Sequence, residues 1–131
     1  MIRNITLLFC VLLITGCAAV PPQTSGYRQI NMSEAIKIMD EESNYIILDV
    51  RTPEEYSQKH IPGSINVPNE VIGSEEILQL PDKDQLILVY CRSGNRSKQA
   101  SAKLVSLGYT NIVEFGGIND WPGETISKEV E

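Results

Sequence analysis

Two unbroken apolar runs of strand length stand out along the chain: Tyr45 to Val50 (YIILDV) and Leu86 to Tyr90 (LILVY). Neither alternates, so each predicts a strand buried on both faces, as in a parallel sheet. Shorter strands are expected at Tyr27 to Asn31, Ser64 to Val67 (stopped by Pro68) and Asn111 to Phe115. Between them the period lengthens. Met32, Ala35, Ile36 and Met39 recur at helical spacing after Asn31, a plausible cap with Glu34 three residues on. Thr52-Pro53-Glu54-Glu55 opens a second helix, with Pro at the first position and a capping box. Ile61-Pro62-Gly63 ends it in a turn. A small helix is expected at Ser74 to Leu78, ended by Pro81. A longer one is expected from about Ser97 to Leu107, with Gly108 as its stop. Gly116-Gly117 then turns into a short final helix around Ile118 to Trp121. Buried strands alternating with helices predict an α/β domain, a mostly parallel central sheet flanked by helices.

The first twenty residues do not fit that plan. Arg3 gives a positive start, and Ile5 to Ile14 is apolar apart from Thr6, the pattern of a secretory signal. The apolar stretch Ile5 to Val20 falls short of the roughly 20 residues that span a bilayer. Leu13-Ile14-Thr15-Gly16-Cys17 resembles the lipobox of bacterial lipoproteins, which implies cleavage after Gly16 and a lipid on Cys17. Residues 1–16 are thus expected to be signal, 17–26 a lipidated Cys and Pro-rich tether, and 27–131 the domain. The expected location is the cell envelope, held at the membrane through the N-terminal lipid. Ala18 after the lipid Cys resembles sorting to an outer membrane, facing the periplasm, where the host has two membranes. Cys10 leaves with the signal and Cys17 is occupied, so Cys91 is left as one free thiol with no intramolecular disulfide.

The 131 residues allow one domain with one real core, and 42% hydrophobic with 21% charged is globular rather than disordered. A net charge of -6 argues against nucleic acid as a partner, since neutralising phosphates needs a basic face. Three Cys and one His leave little for a metal, and neither metal nor cofactor is expected.

The acidity is unevenly spread. Between Gln85 and Val113 there is no Asp or Glu, while Arg92, Arg96, Lys98 and Lys103 are all basic. This stretch contains Cys91-Arg92-Ser93-Gly94-Asn95-Arg96-Ser97, set between a buried strand and a helix. Ligands of open α/β sheets bind beyond the carboxyl ends of strands. A thiol there faces loop amides and a helix N-terminus, which favour the thiolate. Gly94 can take positive φ, so successive N–H groups can turn inward and form an anion nest. Arg96 adds a planar fork of donors. The loop is built to hold an anion on a sulfur.

Three separated motifs, in order, resemble the single-domain rhodaneses, sulfurtransferases of the thiosulfate type. The loop Cys91 to Arg96 is similar to that family's active-site loop. Leu48 to Pro68 (LDVRTPEEYSQKHIPGSINVP) resembles its N-terminal signature, and Gly116 to Trp121 its C-terminal one. The resemblance implies a rhodanese-like fold and transfer of sulfane sulfur from thiosulfate or a related small anionic donor. A Cys91 persulfide would pass the sulfur to a thiol or cyanide acceptor. It implies Cys91 and Arg96 as catalytic residues and Arg92, Ser93, Gly94, Asn95 and Ser97 as the substrate-binding loop. Asp49 and Arg51 are expected behind it, as a buried ion pair or cap that fixes the loop, with shaping of the pocket as the alternative. His60 is expected to make a structural hydrogen bond, and Trp121 to pack. Arg92 either faces solvent or tunes donor preference.

Three other functions compete. A cysteine phosphatase uses a loop with one residue more than the four here, Arg92 to Asn95. A membrane-anchored, non-catalytic sulfur carrier or binding module would keep the same loop. A redox-sensing thiol would need a resolving Cys, which the mature chain lacks.

Overall fold

A computed structural model describes residues 26–73 and 75–128. The expected signal, Cys10, Cys17 and the tether up to residue 25 lie outside the described residues. Among the described residues, no helix is long and apolar enough to cross a membrane.

The elements run β1 (Arg28–Gln29), α1 (Met32–Glu41), β2 (Tyr45–Asp49), α2 (Pro53–Gln58), β3 (Ile65–Asn66), β4 (Leu86–Cys91), α3 (Asn95–Ser106) and β5 (Ile112–Gly117). Single 3-10 turns follow β3 at Asn69–Val71 and β5 at Ile118–Asp120. The five strands form one sheet in the order β1-β5-β4-β2-β3, and every neighbouring pair is parallel. The apolar runs occupy the centre, where both faces are covered. On one face Leu48, Ile87, Val89 and Cys91 pack with Ala100 and Leu104 of α3. On the other, Ile47, Leu88, Tyr90, Val113 and Phe115 pack with Ala35 of α1. Both capping boxes form, Asn31 with Glu34 and Thr52 with Glu55.

The expected helix after residue 73 does not form: Glu75 to Leu80 is irregular, with a turn at Leu78–Gln79. Ile77 and Leu80 both enter the core while Leu78 is 82% exposed. The Leu80 amide donates to the Ile77 carbonyl at 3.0 Å, closing a single turn. Unlike α2, a helix of only six residues, this segment has no Glu or Gln three residues after Ser74 to close a capping box against the cost of nucleation, and Pro81 stops it.

Candidate active site

Cys91 is the last residue of β4, 1% exposed, and Asn95 begins α3. The turn between them works because Gly94 sits at φ 111°, a left-handed conformation that glycine adopts without steric cost. This aims the Gly94 amide at the Cys91 sulfur, 3.0 Å away. The Ser97 hydroxyl, one turn into α3, lies 3.4 Å from the same sulfur. Burial pushes the Cys91 thiol up. The Ser97 hydroxyl and the backbone amides of Ser97, Gly94 and Ser93 outweigh burial and hold it below its ordinary value.

The far side of the loop is fixed by β5. The β4–β5 register shifts between Val89 and Cys91, bringing Gly117 opposite Cys91. A Cβ on Gly117 would fall inside the carbonyl of Arg92. That same carbonyl accepts the Asn119 amide at 3.2 Å. Gly117 is therefore required by the close approach of two backbones, and Gly116, at φ 97°, by its own conformation.

Among the expected site residues, Ser93, Gly94 and Ser97 gather around the sulfur, and Arg92 and Asn95 are exposed. Arg96 turns its fork onto Glu55 of α2, with Nη1 2.6 Å from Oε1 and Nη2 3.0 Å from Oε2. Glu55 also accepts from the Thr52 amide and hydroxyl, so one carboxylate caps α2 and ties it to α3. The Arg96 hydrogen bond outweighs burial and takes the Glu55 carboxyl down to about 2. The four basic residues of this stretch thus have different surroundings. Arg96 is paired, and Lys103 donates to the backbone and side chain of Asn69, leaving Arg92 and Lys98 exposed.

Asp49 and Arg51 form the buried pair expected of them. Arg51 Nη2 lies 2.6 Å from Asp49 Oδ2 and 2.7 Å from the Lys59 carbonyl. Arg51, Glu55, Lys59, Arg92 and Asn119 line a cavity of about 270 Å³ beside the loop. His60 donates Nδ1–H to the Tyr56 carbonyl at 2.7 Å and stacks on the Tyr56 ring, a structural role. Trp121 packs on the α1-side core and donates its indole N–H to Glu124. Among the described residues, no cluster of side chains could hold a metal.

Glu114 is a site residue that no motif in the sequence marks. It is 3% exposed on β5, and its Oε1 accepts from Ser97 Oγ at 2.6 Å and from the Gly116 amide at 2.8 Å. An acidic residue inside the buried run NIVEF was the available signal.

The rhodanese-like domain family matches residues 31–124. The chain belongs to that family. It is 40% identical over 73 residues to the thiosulfate sulfurtransferase PspE of Escherichia coli, covering 56% of this chain and 70% of that one. It is 30% identical over 112 residues to the thiosulfate sulfurtransferase GlpE of Pseudomonas entomophila, covering 82% and 99%. The adenylyltransferase and sulfurtransferase uba4 of Ogataea parapolymorpha is 42% identical over 76 residues, but the match spans only 19% of its length. Among solved structures, a rhodanese-related protein from Thermoplasma volcanium superposes with a TM-score of 0.64 at 31% identity, covering 79% of this chain and all of that one. The rhodanese with anions from E. coli gives 0.58 at 35% identity, covering 63% and 98%. The fold is that of the rhodaneses, and the chain is of the sulfurtransferase family.

Proposed function

We propose that this protein moves sulfane sulfur from thiosulfate, or a donor of like charge and size, to a thiophilic acceptor through a persulfide on Cys91. The observation that carries this reading is the Gly94 amide 3.0 Å from a thiol held at a strand end and helix start. The Cys91 thiolate attacks the outer sulfur of thiosulfate. A new S–S bond forms at Cys91, the old one breaks, and sulfite leaves with the bonding pair. Loop amides already turned inward stabilise the charge on the persulfide and on the donor without reorganising. Cyanide, or a thiolate, then takes the outer sulfur and restores the Cys91 thiolate. The contacts that lower the thiol's pKa reduce the need for a general base.

Intact mass decides the reading. Thiosulfate should add one sulfur atom to the wild type, removable by cyanide, and none to Cys91→Ser. An unchanged wild-type mass would sink it. A second reading, sulfur carriage without rapid turnover, is favoured by 31% identity over 104 residues to the putative sulfur carrier protein YrkF of Bacillus subtilis. Persulfide loading with no steady-state formation of thiocyanate would select it. Anchoring at the membrane through a lipid on Cys17 is a separate proposal resting on residues 13–17 alone; Cys17→Ser should release the protein from the membrane fraction.

A further inference from the structure

Behind the proposed nucleophile lies a buried hydroxyl with one hydrogen and several acceptors. Ser97 Oγ is within reach of Cys91 Sγ at 3.4 Å, the Gly94 carbonyl at 3.0 Å, Glu114 Oε1 at 2.6 Å and the Gly116 carbonyl at 3.4 Å. A hydroxyl donates once. The contact to Glu114 is the shortest and falls in the range of an O–H donating to a carboxylate. The Ser97 hydroxyl and the Gly116 amide both donate to Oε1, so this oxygen is held as an acceptor. Ser97 and Glu114 are 0% and 3% exposed, so water does not relieve the competition.

We propose that Glu114 is a positioning residue for the Cys91 sulfur: it holds the single hydrogen of Ser97 away from the sulfur and opposes ionisation of the thiol. While the thiol is protonated it donates to Ser97 Oγ and Ser97 donates to Glu114; the Ser97 hydroxyl favours the thiolate only when its hydrogen leaves Glu114 for the sulfur, and Glu114 competes for that hydrogen. The Gly94 amide favours the thiolate from one side, and Glu114 restrains it from the other. Glu114 acts in two ways, by engaging the hydrogen and by placing a second negative charge near the sulfur. The charges on the neighbouring elements do not cancel it. On α3, Arg96 is paired with Glu55 of α2, and Lys98 is exposed. Asp49 at the end of β2 is closed on Arg51. Arg92 in the loop is exposed, and β1 places Gln29 opposite Glu114, with Arg28 exposed. A thiol kept nearer ambient pH stays the stronger nucleophile, because thiolate reactivity falls as acidity rises. The proposal shares with the sulfurtransferase reading only that Cys91 is the reacting group.

The test is the pH dependence of Cys91 alkylation by iodoacetamide, with thiolate ultraviolet absorbance as a second reading. Neither needs a sulfur donor. A midpoint that moves while thiosulfate fails to load sulfur would overturn the sulfurtransferase reading and leave this one standing. Glu114→Gln should lower the midpoint by about one pH unit. It should also lower the high-pH plateau rate by about threefold. An unchanged or raised midpoint overturns the proposal. In a Ser97→Ala background the same substitution should produce a smaller shift, because only the charge effect remains. An equal shift there overturns the part assigned to Ser97. If Glu114→Gln does not fold, Glu114→Asp keeps the charge and draws it back from Ser97. It should still lower the midpoint, and a fixed midpoint overturns the proposal.

Discussion

Glu55→Gln isolates one ion pair with little other change. Gln still supplies an oxygen to the Thr52 cap, because a capping box accepts Glu or Gln. What it removes is the charge facing Arg96, whose fork lies 2.6 and 3.0 Å from the two carboxylate oxygens. The carboxyl is lowered from an ordinary 4.5 to about 2, a linkage worth about 3 kcal/mol at most. The side chains of Arg96 and Glu55 are 32% and 29% exposed, so solvent screening and side-chain entropy reduce that figure. The expected cost at pH 7 is about 1 to 2 kcal/mol, or roughly 4 to 15 °C in Tm for a domain of this size. The sign against pH follows from a depressed folded value. The contribution is complete above about 4.5, shrinks as pH falls, and is gone below about 2. Urea unfolding of the wild type and Glu55→Gln between pH 7 and pH 2 measures it. The two stabilities should differ most at pH 7 and converge as the solution is acidified. A difference that is absent at neutral pH, or constant across the range, refutes the assignment.

Two further substitutions test the scaffold. Gly117→Ala should push the Arg92 carbonyl out of place, costing about 1 to 3 kcal/mol by overpacking and slowing sulfur loading on Cys91; thermal melts and intact mass measure both, and a wild-type loading rate would contradict the close approach. Arg51→Met leaves Asp49 buried without its partner and should cost about 3 to 5 kcal/mol, read in urea at pH 7, more than any exposed Arg or Lys replaced in the same way.

Much of this was legible before folding. Tyr45 to Asp49 and Leu86 to Cys91 became the central strands because residues apolar on both sides have nowhere else to go. Thr52-Pro53-Glu54-Glu55 capped its own helix, since the partners lie within one turn of each other. The loop after Cys91 was visible for the same reason: Gly94, Ser97 and the amides between them act over six residues. Local chemistry needs only local sequence.

Long-range placement was not legible. The stretch from Arg92 to Lys103 is purely basic in sequence, yet Arg96 meets Glu55, forty-one residues away, and Lys103 meets Asn69. Glu114 looked like one acid in a strand. The parallel pairing of β5 with β4, together with the packing of α3 across them, buries it against Ser97 behind the Cys91 sulfur. The turn, the cap and the thiol were determined by the sequence alone, because neighbouring residues satisfy them. The charges that face one another, and which oxygen holds the Ser97 hydrogen, were decided only when the sheet register brought distant segments within hydrogen-bonding distance.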